Sequence, residues 1–331
     1  MADLLPSVAA QEAQNRRQQM LRTAFGPVIA AALTDPNVLE VMVNPDGKLW
    51  IDRAAQGHAD TGERIGPAET ERIIRLVAAH VHREVTDRAP IVSAELPGTG
   101  ERFEGIMPPI APAPCFSIRK PADVVFTLSD YVAANIMSPL QADALEQAVI
   151  ARRNIVVVGG TSSGKTTLVN ALLAIMAGLD ERIVILEDTR ELRCAAKDSV
   201  ALRTKPGVAT LADLVRSTLR LRPDRIIVGE VRGPEALDML KAWNTGHPGG
   251  ITTLHANSAT AALLRLEQLI QEAVVTVPRA LIALTIDLLV FLDGRGGQRK
   301  VGALMELHGL DGGGDYVLKS LPPPLLRAVT P

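Results

Sequence analysis

Ile155-Val-Val-Val-Gly-Gly-Thr-Ser-Ser-Gly-Lys-Thr-Thr-Leu168 decides how the rest of the chain is read. Four apolar residues, Ile155 to Val158, read as a buried strand. A glycine-rich turn follows, then a helix starting near Lys165. Gly159 to Thr166 fits the phosphate-binding pattern G-x-x-x-x-G-K-[ST] without a mismatch. The small residues Gly159, Gly160, Thr161, Ser162, Ser163 and Gly164 let successive backbone N–H groups face inward around phosphate oxygens. Lys165 is placed to reach β- and γ-phosphates, and the Thr166 hydroxyl to complete a Mg²⁺ shell. Thr167 lies in the same first turn, where the helix N-terminus adds its positive end. The stretch predicts a bound nucleoside triphosphate and leaves the base unread.

Downstream, the same alternation continues. Arg182–Leu186 reads as a strand ending in Glu187 and Asp188, Arg225–Gly229 as a strand ending in Glu230, and Gly250–His255 as a third. Helices are expected over Leu211–Leu221, Pro234–Trp243 and Ser258–Ala273, with Pro139–Ala151 before the central strand. Ile286–Phe291, Lys300–Glu306 and Tyr316–Leu321 read as later strands, and Pro322-Pro-Pro-Leu325 as an end segment. Short apolar strands between helices predict an α/β domain with a mostly parallel sheet covered on both faces.

Upstream, residues 11–34 carry apolar residues at helical spacing, with a kink or break at Gly26-Pro27. Val38–Val43 and Lys48–Asp52 flank the turn Asn44-Pro-Asp-Gly47. Pro67–His82 reads as a helix, and Glu101–Met107 and Cys115–Lys120 as short strands. This is a small mixed α/β domain. The expected division is an N-terminal domain over 1–128, a hinge over 129–138 and a second domain over 139–331.

Composition narrows the function. Hydrophobic residues make up 47%, enough for a core in each domain. A formal net charge of −2 argues against bulk wrapping of nucleic acid. With aromatics at 3%, stacking platforms for single strands are not expected either. Cys115 and Cys194 form no C-x-x-C pair, so the usual structural zinc site is not expected. His80 and His82 are two apart and share no helix face, and they read as structural or surface residues. The N-terminus has no signal-peptide pattern, and no charge-free apolar run reaches 18 residues; Ala280–Leu292 comes nearest and carries Asp287. These features predict a cytoplasmic protein, with any membrane association made through a partner.

In a sheet of this kind ligands sit beyond the carboxyl ends of the strands. Glu187 with Asp188, Glu230 and His255 all fall there. Glu230 suits either Mg²⁺ or an attacking water whose proton it accepts, and the water role is preferred. Glu187 suits action through a Mg²⁺-bound water. Asp188 suits either the site or a local turn. His255 is placed to sense a γ-phosphate. Arg216, Arg220, Arg222, Arg225 and Arg232 surround Glu230 in sequence, some as its partners or those of Asp224. Arg119, just before the expected hinge, is a candidate to reach back to the nucleotide.

Gly159–Thr167, Ile185-Leu-Glu-Asp-Thr-Arg-Glu-Leu192, Leu219–Arg232 and Gly249–Asn257 together resemble the Walker A, Asp box, Walker B and His box of the secretion ATPases of type IV secretion and conjugative transfer. That family is related to the motors of type II secretion and type IV pili. The chain most resembles its P-type conjugative-transfer branch. The resemblance implies a RecA-like P-loop NTPase motor domain joined to a smaller PAS-like α+β N-terminal domain. It also implies a homo-hexamer that hydrolyses ATP with Mg²⁺ to drive pilus assembly or substrate transfer. Nucleotide would lie between the two domains of each chain. Lys165 and Thr166 would hold phosphate and metal, Glu187 would belong to the acidic box, Glu230 would be the Walker B glutamate and His255 the His-box histidine. Arg119 and, less directly, Arg102 resemble arginines that approach nucleotide from the N-terminal side. The implied partners are inner-membrane components of the secretion complex, with no stable nucleic-acid binding. Retraction motors and a low-turnover nucleotide switch remain alternatives.

Overall fold

In a computed structural model, residues 8–54, 56–121, 125–205 and 207–321 are described. The chain divides into two compact units, Met1–Asp123 and Val124–Pro331. Pro322-Pro-Pro-Leu325, expected as an end segment, lies outside the described residues.

The first unit starts with helix α1 (Val8–Thr34), which kinks at Gly26, where φ is 69° and ψ 175°, ahead of Pro27. Proline cannot donate a helical hydrogen bond, and glycine takes the left-handed turn without penalty. Six strands follow: β1 (Val38–Val43), β2 (Lys48–Arg53), β3 (Gly57–Arg64), β4 (Ile91–Glu95), β5 (Arg102–Ile106) and β6 (Cys115–Arg119). They form one antiparallel sheet in the order β3-β2-β1-β6-β5-β4. Helix α2 (Pro67–His80) opens with proline in its first turn and buries Ile73, Ile74 and Val77. These pack with Ile29 and Phe25 of α1 and with Val41, Phe103 and Ile118 of the sheet in one core. Alternation along β6 buries Phe116 and Ile118 and turns Ser117 and Arg119 outward.

The second unit holds an eight-stranded sheet in the order β14-β13-β12-β7-β11-β10-β8-β9. Its strands are β7 (Ile155–Gly159), β8 (Arg182–Glu187), β9 (Asp198–Arg203), β10 (Arg225–Val228), β11 (Ile251–Leu254), β12 (Leu288–Asp293), β13 (Lys300–Leu310) and β14 (Tyr316–Ser320). From β12 to β9 every pair is parallel, whereas β13 and β14 are antiparallel. The sheet is therefore mixed at one edge. The helices are α3 (Leu128–Ala133), α4 (Pro139–Ile150), α5 (Lys165–Met176), α6 (Leu211–Thr218), α7 (Glu235–Asn244), α8 (Ala259–Gln271) and α9 (Arg279–Thr285). Two cores result, one on each face. Val156, Val158, Ile226 and Leu254 face one, and Val157, Ile185, Ile227 and Ile251 face the other. Strands buried on both sides explain the unbroken apolar runs.

Residues 129–138, expected as a hinge, are built into this unit. Thr127 caps α3 by accepting from Asp130 N, and Leu128, Tyr131 and Met137 join the core beneath α4 and α5. Tyr131 and Met137, with Leu128 just before the segment, are buried in the core of the second unit.

Candidate active site

The carboxyl ends of β7, β11, β10 and β8 converge on the turn before α5. The turn is tight because Gly164 takes φ 92° at the helix start and Ser162 takes φ 61°. A Cβ at Gly159 would stand 2.5 Å from Ser163 Oγ and 2.7 Å from the Leu292 carbonyl, so only glycine lets the loop close against β12. Lys165 then folds back: its ammonium donates to the carbonyls of Gly159 and Gly160, both at 3.0 Å.

The same ammonium lies 3.3 Å from His255 Nδ1, and His255 Nε2 lies 2.9 Å from Glu230 Oε1. An ammonium can only donate and a carboxylate can only accept, so the His255 ring stands between a donor and an acceptor. Arg232 Nη2 donates to the other Glu230 oxygen, and Arg232 Nη1 is 3.9 Å from Asp188. Asp188 in turn accepts from the Thr204 hydroxyl at 2.8 Å. Four residues read separately in the sequence thus form one line, Lys165–His255–Glu230–Arg232. Among the other arginines, Arg225 pairs with Glu181 and Arg216 with Asp238, away from Glu230.

Glu187 is placed differently from a freely metal-facing carboxylate. It is buried, and its Oε1 accepts from the backbone N–H groups of Glu191 and Leu192 at 2.9 and 2.8 Å. Burial pushes its carboxyl up to about 7, against the pull of those two donors, and the neighbouring Glu191 charge pushes the same way. Glu187 therefore anchors the turn that carries Glu191. The Thr166 hydroxyl donates to Glu191 Oε2 at 3.1 Å, and Asn170 clamps the same turn through the Glu191 carbonyl and Arg193 N–H. Glu191 was not singled out in the sequence. Its signal was there in Glu187-Asp-Thr-Arg-Glu191, where a second carboxylate follows the strand end by four residues.

Arg102 and Arg119 belong to the first unit. They stand directly opposite each other on β5 and β6, flanked across the sheet by Glu95 and Glu40. Opposite residues share a face, so the two candidate arginines form one basic pair between two acids.

Among the described residues no group of three or more His, Cys, Asp or Glu could hold a metal by itself, and no helix is long and apolar enough to cross a membrane. The donors beside the loop are oxygens: the Thr166 hydroxyl and the Glu191 and Glu230 carboxylates. This set fits Mg²⁺, which takes one or two protein ligands and completes its shell with phosphate and water.

A family described as "Type II/IV secretion system protein" matches residues 28–293. The chain is 47% identical to the conjugal transfer protein TrbB of Rhizobium radiobacter, over 89% of this chain and 91% of that protein. It is 33% identical to the type IV secretion system protein PtlH of Bordetella pertussis, over 85% and 92%. Its fold is similar to the Legionella pneumophila ATPase DotB, with a TM-score of 0.56, 18% identity and coverage of 97% and 82%. The match spans both units, including every box from the phosphate loop to His255, and by it this chain belongs to the Type II/IV secretion system protein family.

Proposed function

We propose that this protein is an ATP-hydrolysing motor of a conjugative type IV secretion apparatus, energising pilus assembly or substrate transfer. The line Lys165–His255–Glu230–Arg232 carries this reading, because it couples the phosphate-binding lysine to a carboxylate positioned to handle water. The similarity to conjugal transfer and secretion proteins supports the task.

Lys165 and the backbone from Gly159 to Thr167 bind the phosphates of ATP. Thr166 and Glu191 would hold Mg²⁺, with Glu187 and Glu230 reaching it through water, and the metal would supply neutralisation of the phosphate charge. Water attacks the γ-phosphorus, the bond from that phosphorus to the bridging oxygen breaks, and ADP leaves. Glu230 accepts the proton of the attacking water. His255 reports the state of the γ-phosphate to the Glu230 side. Arg119 and Arg102 approach the nucleotide from the N-terminal domain. That domain is PAS-like, and its motion against the motor domain is the mechanical output. Six chains form a ring on the cytoplasmic side of inner-membrane secretion components. No stable nucleic-acid binding is expected.

Steady-state ATP turnover of the purified protein tests this. Lys165→Ala and Glu230→Gln should each lose nearly all turnover, and sedimentation with nucleotide should give a hexamer. Full turnover in Lys165→Ala would overturn the site. One observation favours a second reading, a low-turnover switch. Arg232 already holds one Glu230 oxygen, and His255 Nε2 stands 2.9 Å from the other. A basal rate near zero that a membrane partner does not raise would favour the switch.

A further inference from the structure

The sheet order puts β11, β10 and β8, which carry His255, Glu230 and Glu187, all on one side of β7. On the other side stands β12, followed by the hairpin to β13. A triphosphate lying across the loop with its γ-phosphate among the hydrolytic groups points its nucleoside end towards that hairpin.

Three side chains occupy this place. Arg299, at the foot of β13, lies flat on the loop. A Cβ at Gly164 would stand 2.8 Å from Arg299 Nε and 2.9 Å from Cζ, and Arg299 Nη2 donates to the Ser162 carbonyl at 3.3 Å. Its Nε is buried without a partner. Tyr131 of α3 is 3% exposed, its hydroxyl also lacks a partner, and it lies within reach of the Arg299 charge. Phe126 meets Tyr131 edge-on, centroids 6.4 Å apart, and leaves 45% of its surface exposed. Buried donors normally find acceptors, so an orphaned Arg299 Nε against the phosphate loop, with an orphaned Tyr131 hydroxyl in range of its charge, points to a ligand. An exposed aromatic next to them offers a face on which a base can stack.

We propose that Arg299, with Tyr131 and Phe126, forms the nucleoside end of the site. The Arg299 guanidinium contacts the α-phosphate and ribose oxygens, while Phe126 carries the base. This rests on the nucleotide-motor reading above and assigns residues outside its four boxes. Arg299 is a binding residue and takes no part in bond breaking.

Calorimetric titration with ADP, a nonhydrolysable ATP analogue and pyrophosphate tests it. Arg299→Ala should weaken ADP and the ATP analogue by the same factor, about tenfold, the loss of one charge-assisted hydrogen bond. Pyrophosphate, which needs only the loop, should bind within about twofold of the native protein. Arg299→Lys should recover part of the loss. Tyr131→Phe, which removes a single oxygen, should cost about threefold and decides the matter if Arg299→Ala folds poorly. Unchanged ADP affinity in Arg299→Ala and Tyr131→Phe would overturn the proposal. So would a loss confined to the ATP analogue, or an equal loss for pyrophosphate, which would make Arg299 a prop for the loop. If the native protein binds none of the three ligands, the motor reading itself fails; if it binds them and the variants match it, only this assignment fails.

Discussion

The Thr166 hydroxyl donates to the Glu191 carboxylate at 3.1 Å, joining the phosphate loop to the turn after β8. Glu191 is held there by its own backbone, whose N–H bonds to Glu187 and whose carbonyl accepts from Asn170. A carboxylate fixed beside the hydroxyl proposed to bind the metal should lower the Mg²⁺ concentration that nucleotide binding needs. Glu191→Gln should raise the Mg²⁺ requirement about tenfold, within the range of supporting residues around metals. Fluorescent-nucleotide binding measured across a Mg²⁺ series checks this, and an unshifted midpoint would remove Glu191 from the site.

His255 lies against both the lysine proposed for phosphate and the carboxylate proposed for water. Its loss should separate binding from turnover. His255→Ala should keep ADP affinity within about threefold while turnover falls about a hundredfold, the usual scale for a positioned group in proton transfer. Parallel ADP titration and phosphate-release assays read the two effects, and equal losses in both would argue for a purely structural histidine.

Arg102 and Arg119 face each other across β5 and β6. Residues in such contact do not act independently. If both approach nucleotide, the double variant should lose less affinity than the two single alanine variants together, with coupling of at least about 0.5 kcal/mol. A double-mutant cycle on ADP affinity tests this; strict additivity would mean that the two arginines act independently, and a single variant without effect would remove that arginine.

At the opposite end of the sheet, Arg225 is fully buried and donates to Glu181, which also accepts from Arg152 at 2.6 Å. Burial pushes the Glu181 carboxyl up, but the bonds and charges of Arg225 and Arg152 outweigh it and hold the group below its ordinary 4.5. A depressed carboxylate stabilises the fold above its unfolded pKa, and this stability is lost as pH falls through the lower folded value. Glu181→Gln strands a buried guanidinium and should cost about 3 kcal/mol at neutral pH. The difference from the native protein should shrink as pH falls below 4.5, where the native carboxylate is protonated and loses the charge pair that the variant never has. Denaturant melts at neutral and acidic pH measure it, and a pH-independent difference would point to packing alone.

The sequence by itself determined the elements whose residues carry their own signal. β7 and the loop after it were legible because four apolar residues, a glycine turn and a lysine occur in one fixed spacing. β1, β6, β8 and β10 were legible as apolar runs, and Glu230 and His255 as polar residues where such runs stop. Tertiary structure decided whatever depends on a neighbour. β3 and β9 are mostly polar edge strands that exist because β2 and β8 offer them hydrogen bonds, so they have little apolar pattern to read. The run Ala280–Leu292 read as one apolar stretch, yet Asp287 accepts from the backbone of Asn154 and parts α9 from β12. Segment 129–138 looked like a linker because its two buried anchors, Tyr131 and Met137, are spread thinly, and only α4 and α5 above them show what they bury. The same holds at the site. Lys165, Glu230 and His255 stood out in the sequence, with Arg232 as a candidate partner two residues from Glu230, whereas other neighbours came from distant parts of the chain. Glu191 on the Thr166 hydroxyl and Arg299 on Gly164 are contacts of folding, and no spacing in the sequence encodes their distances.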